Sequence, residues 1–199
     1  MTYVTFEDVA DCIDALPRAG LIAIDGLPVS GKSTLAERLS RRFGLETVYL
    51  DDFVLPERLW PSDRTPAFPF RYIRYGEFLA VVEALGTIGE ATYFPFDWAM
   101  REVSTIPRTL RLETPIVVEG VSSLHPDLEH HYALRLYVQS DRRSTLQAAV
   151  ARGVGDWLSE WRDWFLPSAD LYFATDPASR ADILLAGRNA PNAGQSPLE

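Results

Sequence analysis

The stretch Gly26-Leu27-Pro28-Val29-Ser30-Gly31-Lys32-Ser33 has the spacing G-x-x-x-x-G-K-[ST], and it decides the fold. Its glycines let the backbone turn so that successive N–H groups surround a phosphate, and a following helix points its positive end at the same anion. We expect Lys32 to bridge the β- and γ-phosphates of ATP and Ser33 to ligate Mg²⁺. The predicted cofactor-binding residues are Gly26, Val29, Ser30, Gly31, Lys32, Ser33 and Thr34.

The flanks of this loop support the interpretation. The apolar run Leu21-Ile22-Ala23-Ile24 has the length of a buried strand, and residues 33–43 have a helical composition. A chance glycine-rich turn is the alternative, but it does not require a strand before it and a helix after it. The order strand, loop, helix therefore predicts a phosphate-binding loop.

The basic residues are distributed unevenly, since Lys32 is the only lysine beside eighteen arginines. A compact ammonium fits among phosphate oxygens, whereas a planar guanidinium does not. The lysine count also excludes the N-K-x-D motif with which GTPases read guanine. We therefore expect ATP and Mg²⁺ as the ligands.

Composition limits the remaining classes of protein. The chain has 199 residues and a net charge of −9, which opposes binding to a nucleic acid polymer. It has no apolar run long enough to cross a membrane, and Cys12 is its only cysteine. These features predict a single cytoplasmic domain over residues 1–199, with no membrane partner; the oligomeric state stays open.

Further strand-like runs, 47–50, 116–118, 134–138 and 183–185, alternate with helical stretches. This alternation predicts an α/β fold of three layers, with a parallel sheet covered on both faces. A capped helix, with Thr5 and Asp8 at its start, is expected before the sheet.

We divide the domain into a core at 20–187, a substrate-binding excursion at about 53–114 with a helix at 76–85, a helical lid at about 141–165 and a frayed tail at 188–199.

Several short motifs occur in the order seen in one known family. They are Ile24-Asp25-Gly26 through Thr34, Asp51-Asp52-Phe53, Val118-Glu119-Gly120, Arg152-Gly153 and Ala181-Asp182-Ile183. In this the chain resembles the uridine kinase and nicotinamide riboside kinase family of P-loop kinases over residues 21–187. The resemblance implies a five-stranded parallel sheet in the order 2-3-1-4-5.

The resemblance also implies roles for two acids, Asp51 and Glu119, and Asp52 lies beside the first of them. Asp51, which follows the second strand, corresponds to the base that takes the proton from the attacking hydroxyl. Asp52 either caps the turn or holds Mg²⁺ through water. Glu119, at the end of the third strand, acts on the metal, so the predicted metal ligands are Ser33, Glu119 and Asp52.

The lid is expected to supply arginines that neutralise the transferring phosphoryl group. By resemblance these are Arg143 and Arg152, although Gln147 and Ala148 stand where the family has an Arg-Asp pair. The predicted catalytic set is thus Asp51, Lys32, Arg152 and Arg143.

The acceptor is less defined by the sequence. Asp97, Trp98 and Arg101 resemble the family's substrate-side segment, and Phe53 belongs to the motif Asp51-Asp52-Phe53. Arg71 and Arg74 stand where a ribose-binding carboxylate is expected, so they either grip an anionic acceptor or face solvent. Trp157, Trp161 and Trp164 share one helical face, which is typical of core packing, with substrate stacking as the alternative. The predicted substrate-binding residues are Asp51, Phe53, Arg71, Arg74, Asp97, Trp98 and Arg101.

These observations predict an ATP- and Mg²⁺-dependent kinase that phosphorylates a hydroxyl of a small molecule, either nucleoside-like or another alcohol. The alternatives are a nucleotide kinase acting on a monophosphate, and a regulatory ATPase or nucleotide-dependent binding module.

Overall fold

A computed structural model describes residues 3–16, 20–151 and 157–190 of the chain. Strands and helices alternate through most of it. In chain order the elements are α1 (Phe6–Asp14), β1 (Leu21–Gly26), α2 (Lys32–Phe43), β2 (Glu46–Tyr49), α3 (Tyr75–Thr87), β3 (Glu90–Tyr93), β4 (Phe96–Asp97), β5 (Glu102–Val103), β6 (Arg108–Arg111), β7 (Ile116–Glu119), β8 (Tyr132–Gln139), α4 (Arg142–Ala151), α5 (Leu158–Glu160), a π-helical turn (Trp161–Phe165), α6 (Leu166–Phe173) and β9 (Ile183–Ala186).

The central sheet has five strands, all parallel, in the spatial order β2-β7-β1-β8-β9. The predicted α/β class and parallel sheet are confirmed. Counted over the strands of this sheet alone, the order reads 2-3-1-4-5. The numbering differs in detail because the excursion contributes the short strands β3 to β6, which pair antiparallel and lie outside the central sheet.

Alternate residues of β1 belong to two separate cores, because successive side chains of a strand point to opposite faces. Ile22 and Ile24 pack in the core that contains Val9 of α1 and Leu35 of α2. Leu21 packs on the other face, in the core that α3 and α6 complete. The sheet is therefore covered on both faces, which explains why its strands are continuous apolar runs.

The predicted N-terminal cap of α1 is present. The backbone N–H of Asp8 donates to the Thr5 hydroxyl at 3.2 Å, and the backbone N–H of Thr5 donates to the Asp8 carboxylate at 2.7 Å. This reciprocal pair satisfies donors that the first turn of a helix leaves unpaired.

The predicted helix at 76–85 is found as α3, but two predicted boundaries near the C-terminus differ from the structure. The helical stretch predicted to end at about 165 continues beyond it, because the turn at Trp161–Phe165 leads directly into α6, which carries Pro167 in its first turn. The start of the predicted tail is bound to the core: the Arg188 N–H donates to the Ser30 carbonyl at 3.1 Å.

In the described ranges, none of the helices is both long and apolar enough to cross a membrane.

Parallel register brings three strand ends together. Glu119, the last residue of β7, is level with Ile24 of β1 and Tyr49 of β2. The phosphate loop follows β1 and Asp51 follows β2, so both leave the same edge of the sheet as Glu119. This edge is where ligands bind in open parallel sheets.

Candidate active site

The phosphate loop is held in a conformation that few residues tolerate. Gly26 has φ 146°, and a Cβ there would lie 2.4 Å from the carbonyl oxygen of Val138. Val29 has φ 59°, a left-handed conformation that strains a β-branched side chain. Backbone strain of this kind persists where the surrounding structure enforces it, commonly at ligand sites. Gly31, with φ 111°, then turns the chain into α2, whose first N–H groups face the loop.

Lys32 lies at the start of α2 and is 6% exposed. Its Nζ donates a hydrogen bond of 2.8 Å to the carbonyl oxygen of Leu27, so the side chain folds back over the loop. The ammonium also lowers the pKa of Asp51 and of Glu119, against the burial that raises both. One buried cation is thus placed among the loop and two carboxylates.

Ser33 and Glu119 offer oxygen ligands side by side. The Ser33 hydroxyl donates to the Glu119 carboxylate across 3.5 Å. Glu119 is 5% exposed, and burial raises its pKa to about 7. Hydroxyl and carboxylate oxygens are hard ligands of the kind Mg²⁺ prefers, and a divalent cation would stabilise the ionised form of this buried acid. The pair therefore fits the predicted metal.

Asp51 and Asp52 are neighbours with different surroundings. Asp51 lies in a short 3₁₀ turn, Leu50–Phe53, and lines the cavity in front of the phosphate loop. Its side chain is accessible, and desolvation by the surrounding groups raises its pKa. Asp52 does not line the cavity; its Oδ2 accepts a 2.7 Å hydrogen bond from the Tyr93 hydroxyl and lies 3.6 Å from Nη1 of Arg108.

A single cavity of about 630 Å³ joins these groups to an aromatic wall. Its volume is in the range of small-molecule sites. One part of its lining is formed by the polar residues Lys32, Ser33, Asp51 and Glu119. The aromatic residues that line the cavity are Trp60, Phe70, Tyr72, Trp98, Trp157, Trp161 and Phe165.

The tryptophans of the predicted helical stripe have separate roles. Trp157 and Trp161 are half-buried and line the cavity, whereas Trp164 is 1% exposed and packs in the interior. The core interpretation therefore holds for Trp164, and the other two face a space that a ligand can enter.

The structure brings Asp51, Trp98 and Arg101 of the predicted substrate residues to the cavity and gives the remaining four different partners. Phe53 is fully buried, with its ring 4.9 Å from that of Tyr93. Asp97 accepts hydrogen bonds from the backbone N–H groups of Ala99 and Met100, so its carboxylate stabilises a turn.

The two arginines expected to grip an anion do not line the cavity. Arg71 is exposed and pairs with Asp63 at 3.1 Å. Arg74 donates to the carbonyl oxygens of Asp52 and Phe94 at 2.7 and 2.8 Å, which fixes the turn that carries Asp51. The sequence indicates that these arginines belong to the excursion, but it does not indicate which way their side chains point.

Of the two arginines predicted to lie in a lid, the structure describes only one. Arg143 is exposed on α4, and Arg152 lies outside the described residues.

Asp25 belongs to a motif of the sequence but is not among the predicted site residues. It is fully buried beside the loop. It accepts hydrogen bonds from the N–H groups of Gly26, Ser122 and Leu124 and from the Tyr172 hydroxyl. It thus ties the phosphate loop to the segment that follows Glu119. The signal that could have found it is an acid at the end of an otherwise apolar strand.

Comparison with protein families gives no match, and neither does comparison with curated proteins. Solved structures do match. The chain is similar to a possible uridine kinase from Bacillus stearothermophilus, with 21% identity, a TM-score of 0.67, and coverage of 90% of this chain and 96% of that one. It is also similar to a candidate fructose transport system kinase from Silicibacter sp. TM1040, with 22% identity, a TM-score of 0.62, and coverage of 94% and 100%.

A third similar structure is a candidate P-loop kinase with a circular permutation from Saccharomyces cerevisiae, with 14% identity, a TM-score of 0.59, and coverage of 94% of this chain and 100% of that one. The structural neighbours are thus uridine kinase-like and other P-loop kinases. At these identities the likeness establishes the fold.

Proposed function

We propose that this chain is an ATP- and Mg²⁺-dependent kinase that transfers the γ-phosphate to a hydroxyl group of a small molecule. The observation that carries the proposal is that Asp51 faces the same cavity as Lys32 and Ser33 of the phosphate loop. Structural neighbours described as a possible uridine kinase and a candidate fructose transport system kinase support the same class of reaction.

Each group has a step in this reaction. Asp51 accepts the proton of the acceptor hydroxyl as that oxygen bonds to the γ-phosphorus, and the bond from phosphorus to the β–γ bridging oxygen breaks, which releases ADP. Lys32 stabilises the charge on the transferring phosphoryl group and the leaving phosphate. Ser33 and Glu119 would hold Mg²⁺, which, when bound, neutralises charge on the phosphate oxygens. Arg143 and Arg152 stay predicted lid contacts.

The raised pKa of Asp51 suits a base. Desolvation disfavours its charged form, which makes the carboxylate a stronger base, while the positive charge of Lys32 acts in the opposite direction and lowers the pKa. A monophosphate acceptor is already ionised and needs no base. A nucleotide kinase would also need a cation for the second phosphate, and Arg71 and Arg74 are engaged elsewhere.

The test is a screen of ADP formation by the purified chain against alcohols and monophosphates, with Mg²⁺ and with chelator. Lys32→Ala is the inactive control, and Lys32→Arg should also fail because the wider fork does not fit a point-charge site. We expect Mg²⁺-dependent ADP formation with an alcohol and its loss in both variants. Turnover by Lys32→Ala at the wild-type rate would overturn the proposal, and acceptor-independent hydrolysis would favour the regulatory ATPase.

A further inference from the structure

All five tryptophans of the chain belong to one cluster around the cavity. The Trp60 ring lies 5.4 Å from that of Trp157 and 5.6 Å from that of Trp164. Trp98 and Trp157 are 6.1 Å apart, and Trp161 contacts Phe165 at 5.8 Å. The cluster therefore draws on the excursion and on the helical segment 157–165, which are far apart in sequence.

This cluster is not simply a core. Trp98 is 51% exposed, and Trp157 and Trp161 are half-buried while lining the cavity. Apolar rings left accessible in a concave site are stabilised when another flat group covers them. By contrast Trp164, behind them, is 1% exposed.

The helix that carries this wall keeps one row of side chains on the cavity. Trp157, Trp161, Phe165 and Ala169 all line it, at intervals of four residues. In an α-helix of about 3.6 residues per turn such a row drifts around the axis. The π-helical turn at Trp161–Phe165 is wider than an α-helical turn and offsets part of that drift. The helix is thus shaped to present aromatic rings and a small residue to the cavity.

Among the described residues, the aromatic part of the cavity offers hydrogen-bond donors but few acceptors, the Tyr72 hydroxyl being one of them. The donors are the indole N–H groups and the guanidinium of Arg101, which pairs with Glu57 and stacks over Trp157 at 5.1 Å from the ring centroid. Both lining carboxylates, Asp51 and Glu119, belong to the proposed phosphate transfer. A sugar placed here would leave most of its hydroxyl hydrogens without acceptors, which is costly for each group, whereas a ring loses little.

We infer that the acceptor is a planar aromatic or heteroaromatic ring that carries a hydroxyl-bearing arm and no ribose. The ring stacks against Trp98, Trp157 and Trp161, and the arm reaches toward Asp51. This inference rests on the proposed kinase function, because it assigns the substrate class of the same cavity.

The test compares three kinds of alcohol at saturating ATP. The probes are pyridoxine and 4-amino-5-hydroxymethyl-2-methylpyrimidine as heteroaryl alcohols, uridine as a ribonucleoside, and glycerol and gluconate as aliphatic polyols. We expect kcat/KM for a heteroaryl alcohol to exceed that for uridine and the polyols by roughly tenfold or more, the order that stacking a ring on aromatic side chains provides. Preference for uridine or a polyol would overturn the inference and leave the kinase proposal intact.

Two substitutions of Trp161 distinguish a loss of ring stacking from a loss of folding. Trp161→Leu should lower kcat/KM for the heteroaryl alcohol by roughly tenfold, with the KM for ATP unchanged, and Trp161→Phe should restore most of it because a ring is kept. Equal activity of Trp161→Leu and wild type would contradict the inference.

Binding is measured separately in the Lys32→Ala variant, by quenching of tryptophan fluorescence with each probe. If a heteroaryl alcohol quenches the fluorescence but the wild type forms no ADP with it, the inferred aromatic site would be supported and the kinase proposal would be rejected. Absence of quenching by both heteroaryl alcohols would overturn the inference.

Discussion

The Tyr172 hydroxyl on α6 donates a hydrogen bond to Oδ2 of Asp25, the residue that precedes the phosphate loop. The pKa of Asp25 is raised, because burial outweighs the opposing effect of this bond and of those from the backbone N–H groups of Leu124 and Gly26, each of which stabilises the carboxylate. The helix that follows the aromatic wall is therefore connected directly to the end of β1.

Removing this bond should destabilise the fold. We expect Tyr172→Phe to lower the free energy of unfolding by about 1.5–3 kcal/mol, the usual contribution of a hydrogen bond to a charged group. Tyr132→Phe is the matched control, because the Tyr132 hydroxyl is buried without a hydrogen-bond partner in the described part of the chain. Urea denaturation measures both, and an equal loss in the two variants would show that the Asp25 contact contributes nothing specific.

Glu119 should lower the free energy of unfolding by an amount that depends on pH. Its pKa is raised from 4.5 to about 7 by burial, so folding disfavours the charged form, and stability falls as pH rises from about 4.5 to about 7. At 1.36 kcal/mol per unit, the full cost above pH 7 is about 3 kcal/mol.

In chelator, we therefore expect Glu119→Gln to unfold at higher urea concentration than wild type at pH 8, and at nearly the same concentration at pH 4.5. The same change should abolish Mg²⁺-dependent ADP formation. A variant that is less stable than wild type at pH 8 would show that ionised Glu119 is well compensated in the fold.

The neighbouring carboxylates Asp51 and Asp52 should respond differently to the same change. Asp51→Asn should lower kcat by roughly 10²-fold or more, the order expected for loss of a general base, with ATP binding and stability retained. Asp52→Asn should mainly lower the free energy of unfolding, by about 1–3 kcal/mol, because it weakens contacts with Tyr93 and Arg108. The reverse pattern would assign the base to Asp52.

Arg74 and Arg71 provide a second matched pair. Arg74→Ala should lower the free energy of unfolding by about 1–3 kcal/mol, since the carbonyl groups of Asp52 and Phe94 lose their donor. Arg71→Ala should change it by about 0–1 kcal/mol, because its pair with Asp63 is exposed. Neither should act directly on the acceptor; a rise in the acceptor KM for Arg71→Ala would instead support the anion-binding role predicted from sequence.

The sequence by itself determined the phosphate loop and the sheet around it. Gly26 and Gly31 occupy positions that require positive φ, and the apolar run before them can only be a strand buried on both faces. These are local requirements of the backbone, so they are readable from residue type and spacing. The sequence also predicts that Asp51 and Glu119 lie at the same edge of the sheet as the phosphate loop, because the carboxyl ends of parallel strands meet at one edge.

Only the tertiary structure decided which side chains reach the cavity. Outside α3 the excursion lacks a long periodic element, so whether Arg74, Asp97 or Trp98 points inward depends on partners distant in sequence. The split between Trp161 and Trp164 depends on packing and on a π-helical turn that no spacing rule predicts. Side-chain direction in such segments is fixed by long-range contacts, and these exist only once the chain has folded.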